Sequence, residues 1–517
     1  MLEKLLTDLG SVDAYPHSVD AVRVAQTHIS CVFLTGEYAY KVKKPVRFAF
    51  LDYSTIERRH AMCIREVELN RRLCPSVYLD VVPVMEEGGR LRIAGSGRLV
   101  DWAVKMRQLR ESDMLPVRLK QRQIAQAEME RVAEMLSAFH RNAATGLDIE
   151  EFGSPEKISL NTEENFQETE SRADDVLPAD HLRAIETYTR DFLAMNGDLF
   201  RARRKSGWIR DGHGDLRVQN ICLQPEWESG VQIFDCIEFN DRLRFLDVAS
   251  DIAYLAMDLD LAGRADLRWI MLQRYRAQLL DAAEDALFRF YCCYRAYVRG
   301  KIALFASEES EIPDKERREH ADIARAAFDL SRSYSKHPAA PVLIMMMGFS
   351  GSGKSVLSQQ LARRLPAVIL STDILRKELA LANPETRLGS DWYTADKISE
   401  IYKSMREAGA GWLEKGEHVI LDATFLSRNE REKAAAAAAH AGADLWIIQC
   451  VCPDGVIRER IRSRPAGFSD ADLAVYESQR KMFDPLTEPA TLNLTNRNLT
   501  VDTSRPAELV ARQILNS

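Results

Sequence analysis

No apolar run in this chain approaches the ~20 residues that a membrane helix needs. The best candidate, 341–348, is far too short. The opening MLEKLLTDLG has neither a long apolar core nor a small-residue cleavage site, so no signal peptide is expected there. Charge of one sign is also lacking: 70 Lys and Arg face 77 Asp and Glu, a formal net of −7. That balance excludes a polybasic coat protein of nucleic acid and leaves room for a local basic pocket around a smaller anion. The nine cysteines are odd in number and show no paired spacing. They read as buried free thiols in a reducing, cytoplasmic setting. Cys450 and Cys452 alternate along an expected strand, but the two further ligands of a zinc site are not nearby. Internal repeats and long low-complexity segments are absent too; AAAAAA at 434–439 is strong helix former.

What is present is a chain of 517 residues, too long for one ordinary core, so two or three domains are expected. The Ser- and Pro-bearing stretch SRSYSKHPAAP at 331–341 reads as the linker. Before it, short strands are expected at 21–26, 29–34 and Tyr38–Lys43, the last two joined by a hairpin turn at Thr35, Gly36 and Glu37. A helix over about 55–73 and strands at 79–85 and 99–107 follow. From Arg118 the pattern is helical, with 121–141 as one long amphipathic segment. A small β-rich lobe thus precedes a larger helical one.

After the linker, the apolar strand VLIMMM runs into Gly348-Phe349-Ser350-Gly351-Ser352-Gly353-Lys354-Ser355, which fits G-x-x-x-x-G-K-[ST] without mismatch, and then into a helix expected over 356–365. Glycines at these spacings let successive backbone N–H groups converge on phosphate oxygens, and the helix N-terminus adds its dipole. Lys354 can reach the β- and γ-phosphates of ATP, and the Ser355 hydroxyl is placed to ligate Mg²⁺. Two further strands, 367–370 and 418–421, end in Asp373 and Asp422. In an open parallel sheet the carboxyl ends of strands face the ligand. Asp373 is the candidate base for an acceptor hydroxyl, Arg376 one turn on is placed to hold an anionic group, and Asp422 is placed to orient Mg²⁺ or its waters. In VIRERIRSRP, Arg460 and Arg464 share one helical face and Arg458 and Arg462 another. One of those faces can close over transferring phosphates.

These residues resemble the small P-loop kinases of the polynucleotide kinase and zeta-toxin type, over about 342–505. The resemblance implies an aspartate that activates a hydroxyl on a nucleic-acid end, a nucleotide sugar or another small molecule, with Arg460 and Arg464 in the lid.

A second constellation lies upstream: His213-Gly214-Asp215 with Asn220 five residues after the aspartate, then Ile233-Phe234-Asp235. Phosphoryl transfer needs a carboxylate at the acceptor hydroxyl and oxygen ligands for Mg²⁺. Asp215, Asn220 and Asp235 supply both. This pattern resembles the aminoglycoside phosphotransferase and choline-kinase branch of the protein-kinase-like fold, over about 20–330. The resemblance implies Asp215 as catalytic base, Asn220 and Asp235 as metal ligands, and Asp251 as a structural aspartate. Lys41 is the candidate α/β-phosphate lysine, with Lys43 on the same face of the strand. Glu66, or alternatively Glu68, is its expected ion-pair partner. The sequence departs from the pattern in two places: Cys-Ile follows Asp235, and a convincing glycine-rich loop is missing from the first strands. Arg295 and Arg299 on one helix face suit an acidic or phosphorylated acceptor, or snorkel and pair with carboxylates.

The fold class expected is α/β and α+β. A bilobal protein-kinase-like domain would occupy 1–335 (β-rich lobe about 20–110, helical lobe about 111–330). A P-loop domain with a doubly wound parallel sheet would occupy 336–517. The whole arrangement resembles bacterial proteins in which an aminoglycoside phosphotransferase-like domain is fused to a P-loop kinase domain. The function expected is a cytoplasmic, ATP- and Mg²⁺-dependent phosphotransferase with two sites, acting on a small-molecule or nucleotide hydroxyl. A nucleic-acid end is an alternative acceptor for the P-loop half. An alternative is a regulator whose N-terminal half binds a ligand and gates the P-loop half.

Overall fold

The computed structural model describes residues 2–516 apart from 49–50, 173–175, 225, 228–229, 280–284, 310–311, 337–339, 383–385, 387, 464–470 and 487–496. The chain folds as two compact units. The first is built from Met1–Glu168, Glu186–Asp258 and Ile270–Arg295, the second from Thr169–Ile185, Leu259–Trp269 and Ala296–Ser517.

In the first unit six antiparallel strands follow the order Arg23–Gln26, Ser30–Leu34, Tyr38–Lys43, Arg98–Arg107, Tyr78–Glu87, Arg90–Ile93. Alternation sorts the Tyr38–Lys43 strand: Tyr40 and Val42 enter an apolar cluster with Phe33, Val84 and Ala103, leaving Lys41 and Lys43 to the opposite face. The helix Ile56–Asn70 starts where Thr55 accepts from the Arg58 backbone N–H, a side-chain cap of the kind Thr favours. Its residues Arg59, Cys63, Glu66 and Asn70, spaced by three or four, are all buried. Cys63 and Val67 pack on Tyr78 and Val104, and Arg59 Nε bonds both carboxylate oxygens of Asp101 at 2.9 and 3.0 Å. That buried pair fixes the helix on the sheet with Glu66, two turns further on, under the lysines.

The long amphipathic helix starts later than expected, at Gln126 rather than 121. Arg122 takes a left-handed backbone (φ +54°), which breaks the helix, and Glu128 restarts it by accepting from the Ala125 N–H at 2.9 Å.

In the second unit five parallel strands follow the order Ala367–Ser371, His418–Asp422, Val342–Met347, Asp444–Val451, Arg497–Asp502. Val342–Met347 is central and every one of its residues is buried. Leu343, Met345 and Met347 pack into one cluster, and Val342, Ile344 and Met346 into another with Leu357, Leu361 and Ile514. Covering on both faces explains the unbroken apolar run, as parallel sheets require. The residues 331–335, expected to open the linker, are helical, because Asp314–Ser335 continues through them with Phe328, Leu330 and Ser331 buried. Among the described residues, no helix is long and apolar enough to cross a membrane.

Candidate active sites

Five glycine-permitted or strained backbone positions shape the two sites, and the P-loop shows why. Gly348, Gly351 and Gly353 have φ of +145°, +81° and +89°. A Cβ at Gly348 would stand 2.6 Å from the Cys450 carbonyl oxygen and 2.8 Å from Ser352 Oγ. Such strain costs about 1–3 kcal/mol. Gly348→Ala is therefore expected to weaken ATP binding about ten- to hundredfold at ~1.4 kcal/mol per decade, measured by titration calorimetry.

The loop is tied down from several sides. The Gly348 N–H donates to the Thr424 carbonyl at 3.0 Å, joining it to the end of the His418–Asp422 strand. The Ser350 N–H donates to Gln479 Oε1 and Gln479 Nε2 donates to Ser350 Oγ, both at 2.9 Å. Thr503 Oγ1 donates to the Ser352 carbonyl at 2.5 Å. The helix after the loop begins at Lys354, two residues before the expected start, directly after Gly353 in left-handed conformation. Lys354 is buried and its Nζ donates to the Phe349 carbonyl at 2.8 Å. Ser355 is exposed. Ser352 Oγ is buried without a hydrogen-bond partner among the described residues, an orphan group that a phosphate oxygen would satisfy. The residues thus fit a triphosphate.

Register places Met346, Asp422 and Ser371 side by side across the three strands. Asp422 is buried. Asp373 lies one residue into the helix Thr372–Leu379, with Ser371 at the cap, and accepts from Arg376 Nη1 at 2.8 Å. The Arg376 guanidinium lies 4.6 Å from the Tyr393 ring centre. Arg460 Nη2 donates to the Thr503 carbonyl at 2.8 Å, and a Cβ at Gly353 would meet Arg460 Nη1 at 3.2 Å. Arg460 therefore stands beside the last loop glycine. Arg458 is engaged by Asp454 and Glu477, the salt-bridged face of the same helix. Arg464 lies outside the described residues.

In the first unit, Asp251 organises the His213–Asp215 turn. Its carboxylate accepts from the backbone N–H of His213 at 2.7 Å and of Gly214 at 3.0 Å, and lies 3.2 Å from His140 Nε2. Burial pulls the Asp251 carboxyl upward, but the His140 bond and the charges and N–H donors around it hold it well below the usual range. Gly214 (φ +84°) lets the turn pass 2.8 Å, at Cβ distance, from the Leu243 carbonyl. Asp215 follows. Arg217 contacts both its oxygens, Nε to Oδ1 at 2.7 Å and Nη2 to Oδ2 at 2.8 Å. Asn220 Nδ2 donates to Oδ2 at 3.0 Å and to the Asp215 carbonyl at 2.9 Å. Burial raises the Asp215 carboxyl, and Arg217, His213 and Asn220 more than offset it, so it stays ionised below the ordinary aspartate range.

Asn220 Oδ1 makes no hydrogen bond among the described residues and remains open to a cation. Asp235 adopts φ +64°, a left-handed turn braced by Tyr78 Oη, which accepts from its N–H at 3.3 Å, and by Asn70 Oδ1, which accepts from the Cys236 N–H at 2.9 Å. Although enclosed in a cleft, its side chain keeps 44% exposure, and Asp215 and His213 act on its charge through space. Two hard oxygen donors around a shared cleft suit Mg²⁺ carried on phosphates. Among the described residues no group of three His, Cys, Asp or Glu side chains forms a closed metal cage.

Lys41 Nζ bridges Asp235 Oδ1 at 2.7 Å and Glu66 Oε1 at 2.8 Å. Burial opposes its charge, but Asp235 and then Glu66 hold it protonated well above the lysine norm. Lys43 takes the other Glu66 oxygen at 2.7 Å and also bonds Glu238, which accepts from Tyr53 Oη at 2.6 Å. Glu66 thus serves both lysines, whereas Glu68 is exposed. The sequence reading missed Glu238, Asn70, Tyr78 and Arg217. Asn70, four residues after Glu66 on one helical face, and Arg217, two residues after Asp215, carried a local signal. Lys43 and Glu66 are almost fully buried, at 1% and 0% side-chain exposure. Lys43→Ala is expected to cost about 3–5 kcal/mol of stability by stranding Glu238 and leaving Glu66 with Lys41 alone, read as a lower urea midpoint. Lys43→Met combined with Glu238→Leu should recover most of it.

Arg295 pairs with no carboxylate among the described residues. It bonds Ser250 and the Gly214 carbonyl.

Comparison with known proteins adds three findings. The AAA_33 family, an AAA domain, matches residues 343–486. Uncharacterized protein Rv2004c of Mycobacterium tuberculosis (strain ATCC 25618 / H37Rv) is 32% identical over 474 residues, covering 91% of this chain and 92% of that protein, as is uncharacterized protein Mb2027c of Mycobacterium bovis. Among solved structures, the Mycobacterium tuberculosis APS kinase CysC in complex with AMPPNP and APS is 20% identical (35% of this chain, 98% of that one, TM-score 0.26). A gluconokinase from Sinorhizobium meliloti is 21% identical (35% and 92%, TM-score 0.25). The C-terminal segment is a P-loop nucleotide-binding domain within a mixed α/β chain.

Proposed function

The chain belongs to the family of the mycobacterial protein Rv2004c, and we propose that it is a bifunctional ATP-dependent phosphotransferase with one site in each half. The N-terminal half, about 1–335, is read as protein-kinase-like. The observation that carries this is the chain Lys43–Glu66–Lys41–Asp235, set in the same cleft as an ionised Asp215. Lys41 is the cation for the α- and β-phosphates, and Glu66 fixes its direction. Asp215 accepts the proton of the acceptor hydroxyl as its oxygen bonds the γ-phosphorus and ADP departs. Arg217 keeps that carboxylate oriented and charged. Asn220 and Asp235 would hold Mg²⁺, which when bound neutralises phosphate charge.

In the P-loop half, the amides of 348–354 and Lys354 bind the phosphates and Asp373 takes the hydroxyl proton. Arg376 is freed from Asp373 to meet an anionic acceptor group, and Arg460 closes on the loop. Ser355 and Asp422 would hold Mg²⁺ there. The acceptor is a hydroxyl of a small metabolite, or of a nucleotide or nucleic-acid end.

The test counts ATP sites by calorimetry and measures ADP release in Lys354→Ala, Asp215→Asn and the double variant. Two ATP per chain and separable losses are expected. Unchanged turnover in Asp215→Asn, with both sites still filled, would make the N-terminal half a nucleotide-binding regulator of the other.

A further inference from the structure

Arg295 is 94% buried by the complement of its 6% exposure, yet its hydrogen-bond partners are neutral oxygens: Ser250 O at 3.2 Å and Ser250 Oγ at 3.1 Å for Nε, and Gly214 O at 3.4 Å for Nη1. Tyr254 and Tyr294 lie against the guanidinium with ring centres at 4.9 and 5.4 Å. Nη2 has no hydrogen bond among the described residues. A guanidinium does not deprotonate in a protein, and burying a charge without a counter-charge is costly. The other charges nearby are already matched. Asp247 takes Arg203 through both oxygens, and Arg242 takes Glu164. One positive charge is left over.

Arg295 lines a cavity of about 40 Å³ together with Asn161, Arg242, Asp247, Tyr291 and Tyr294. Asn161 Oδ1 is buried there without a partner among the described residues. At ~10–15 Å³ per water, the cavity has room for about three non-hydrogen atoms, the size of a carboxylate and less than a phosphate group needs. The same guanidinium holds the carbonyl of Gly214, the residue before Asp215.

We propose that this cavity is the acceptor subsite of the N-terminal half and takes the carboxylate of a small hydroxy acid, with its hydroxyl directed to Asp215. The proposal rests on the kinase-like reading of that half. Arg295 Nη2 supplies the charge-assisted bond to the carboxylate, and the Asn161 amide, turned over, donates its Nδ2–H to the second carboxylate oxygen. In the transfer step the acceptor oxygen bonds the γ-phosphorus, the bond to ADP breaks and the hydroxyl proton passes to Asp215.

The experiment uses the full chain carrying Lys354→Ala, so that turnover belongs to the N-terminal half. Glycolate, lactate, glycerate and malate are titrated against their uncharged alcohols and against glycerol phosphate. At least one hydroxy acid should bind tenfold or more tightly than its alcohol. Asn161→Asp, which adds a negative charge to the cavity without touching the Asp215 turn, should weaken it at least tenfold while ATP binding stays unchanged. Equal binding of acids and alcohols, preference for the phosphate ester, or indifference to Asn161→Asp overturns the subsite. The kinase-like reading is scored separately by ADP release in Asp215→Asn: a carboxylate that binds without Asp215-dependent transfer sinks that reading and the acceptor role with it.

Discussion

Lys354→Ala is expected to abolish phosphotransfer by the P-loop half, with a loss of about a thousandfold or more, and, on the proposed two-site reading, to reduce the ATP count from two per chain to one. Removing a single preorganised donor to a developing charge costs about 10²–10³, and Lys354 contributes a full charge to the β- and γ-phosphates. Its burial at the start of the helix Lys354–Ala362 makes that charge count for more than it would in water. The loop itself should survive the change. The substitution removes the Lys354 bond to the Phe349 carbonyl, but the bonds from Thr424, Gln479 and Thr503 that hold the loop remain. An unaltered urea midpoint together with one remaining ATP site is therefore the signature expected. A wild-type ATP count with undiminished ADP release would remove the P-loop from the chemistry.

The P-loop half was legible because its chemistry is written in consecutive residues. Strand, glycines, lysine and helix follow one another from 342 onward, and their spacing alone dictates the cradle. The parallel sheet was legible for a related reason, since only a strand covered on both faces needs VLIMMM without interruption. Long-range pairing was not legible. Glu238 reaches Lys43 across 195 positions and Asp235 reaches Lys41 across 194, so nothing local marks either contact. Period two set Lys41 and Lys43 on one face but could not choose between them. The structure gives each its own second carboxylate and lets them share Glu66. The helix through 331–335 escaped notice because Ser and Arg there look like linker, whereas burial of the preceding Phe328 and Leu330 carries the helix onward.

On the proposed two-site reading, Asp215→Asn is expected to lower turnover by the N-terminal half by about 10²–10⁴, the range of a positioned general base, while ATP still binds. The asparagine keeps the size of the side chain, so the Asn220 bond and the turn held by Asp251 remain available. What disappears is the negative charge that neutralises Arg217 and that, on the proposed mechanism, accepts the hydroxyl proton. Arg217 then stands buried with its main counter-charge gone, which predicts a second observable: stability falls by more than an isosteric change at the surface would cost. The pH profile follows from the same contacts. Arg217, His213 and Asn220 outweigh burial and hold the carboxyl below the ordinary aspartate value of ~3.9. The base is therefore fully ionised above that value and is lost only as the medium becomes more acidic than it. Between about pH 5 and 8, the wild-type rate of the N-terminal half should show no acid limb from this group. An acid limb near pH 6 that vanishes in Asp215→Asn would contradict the charge balance drawn around Asp215, because it would require the carboxyl to be raised rather than lowered by its surroundings.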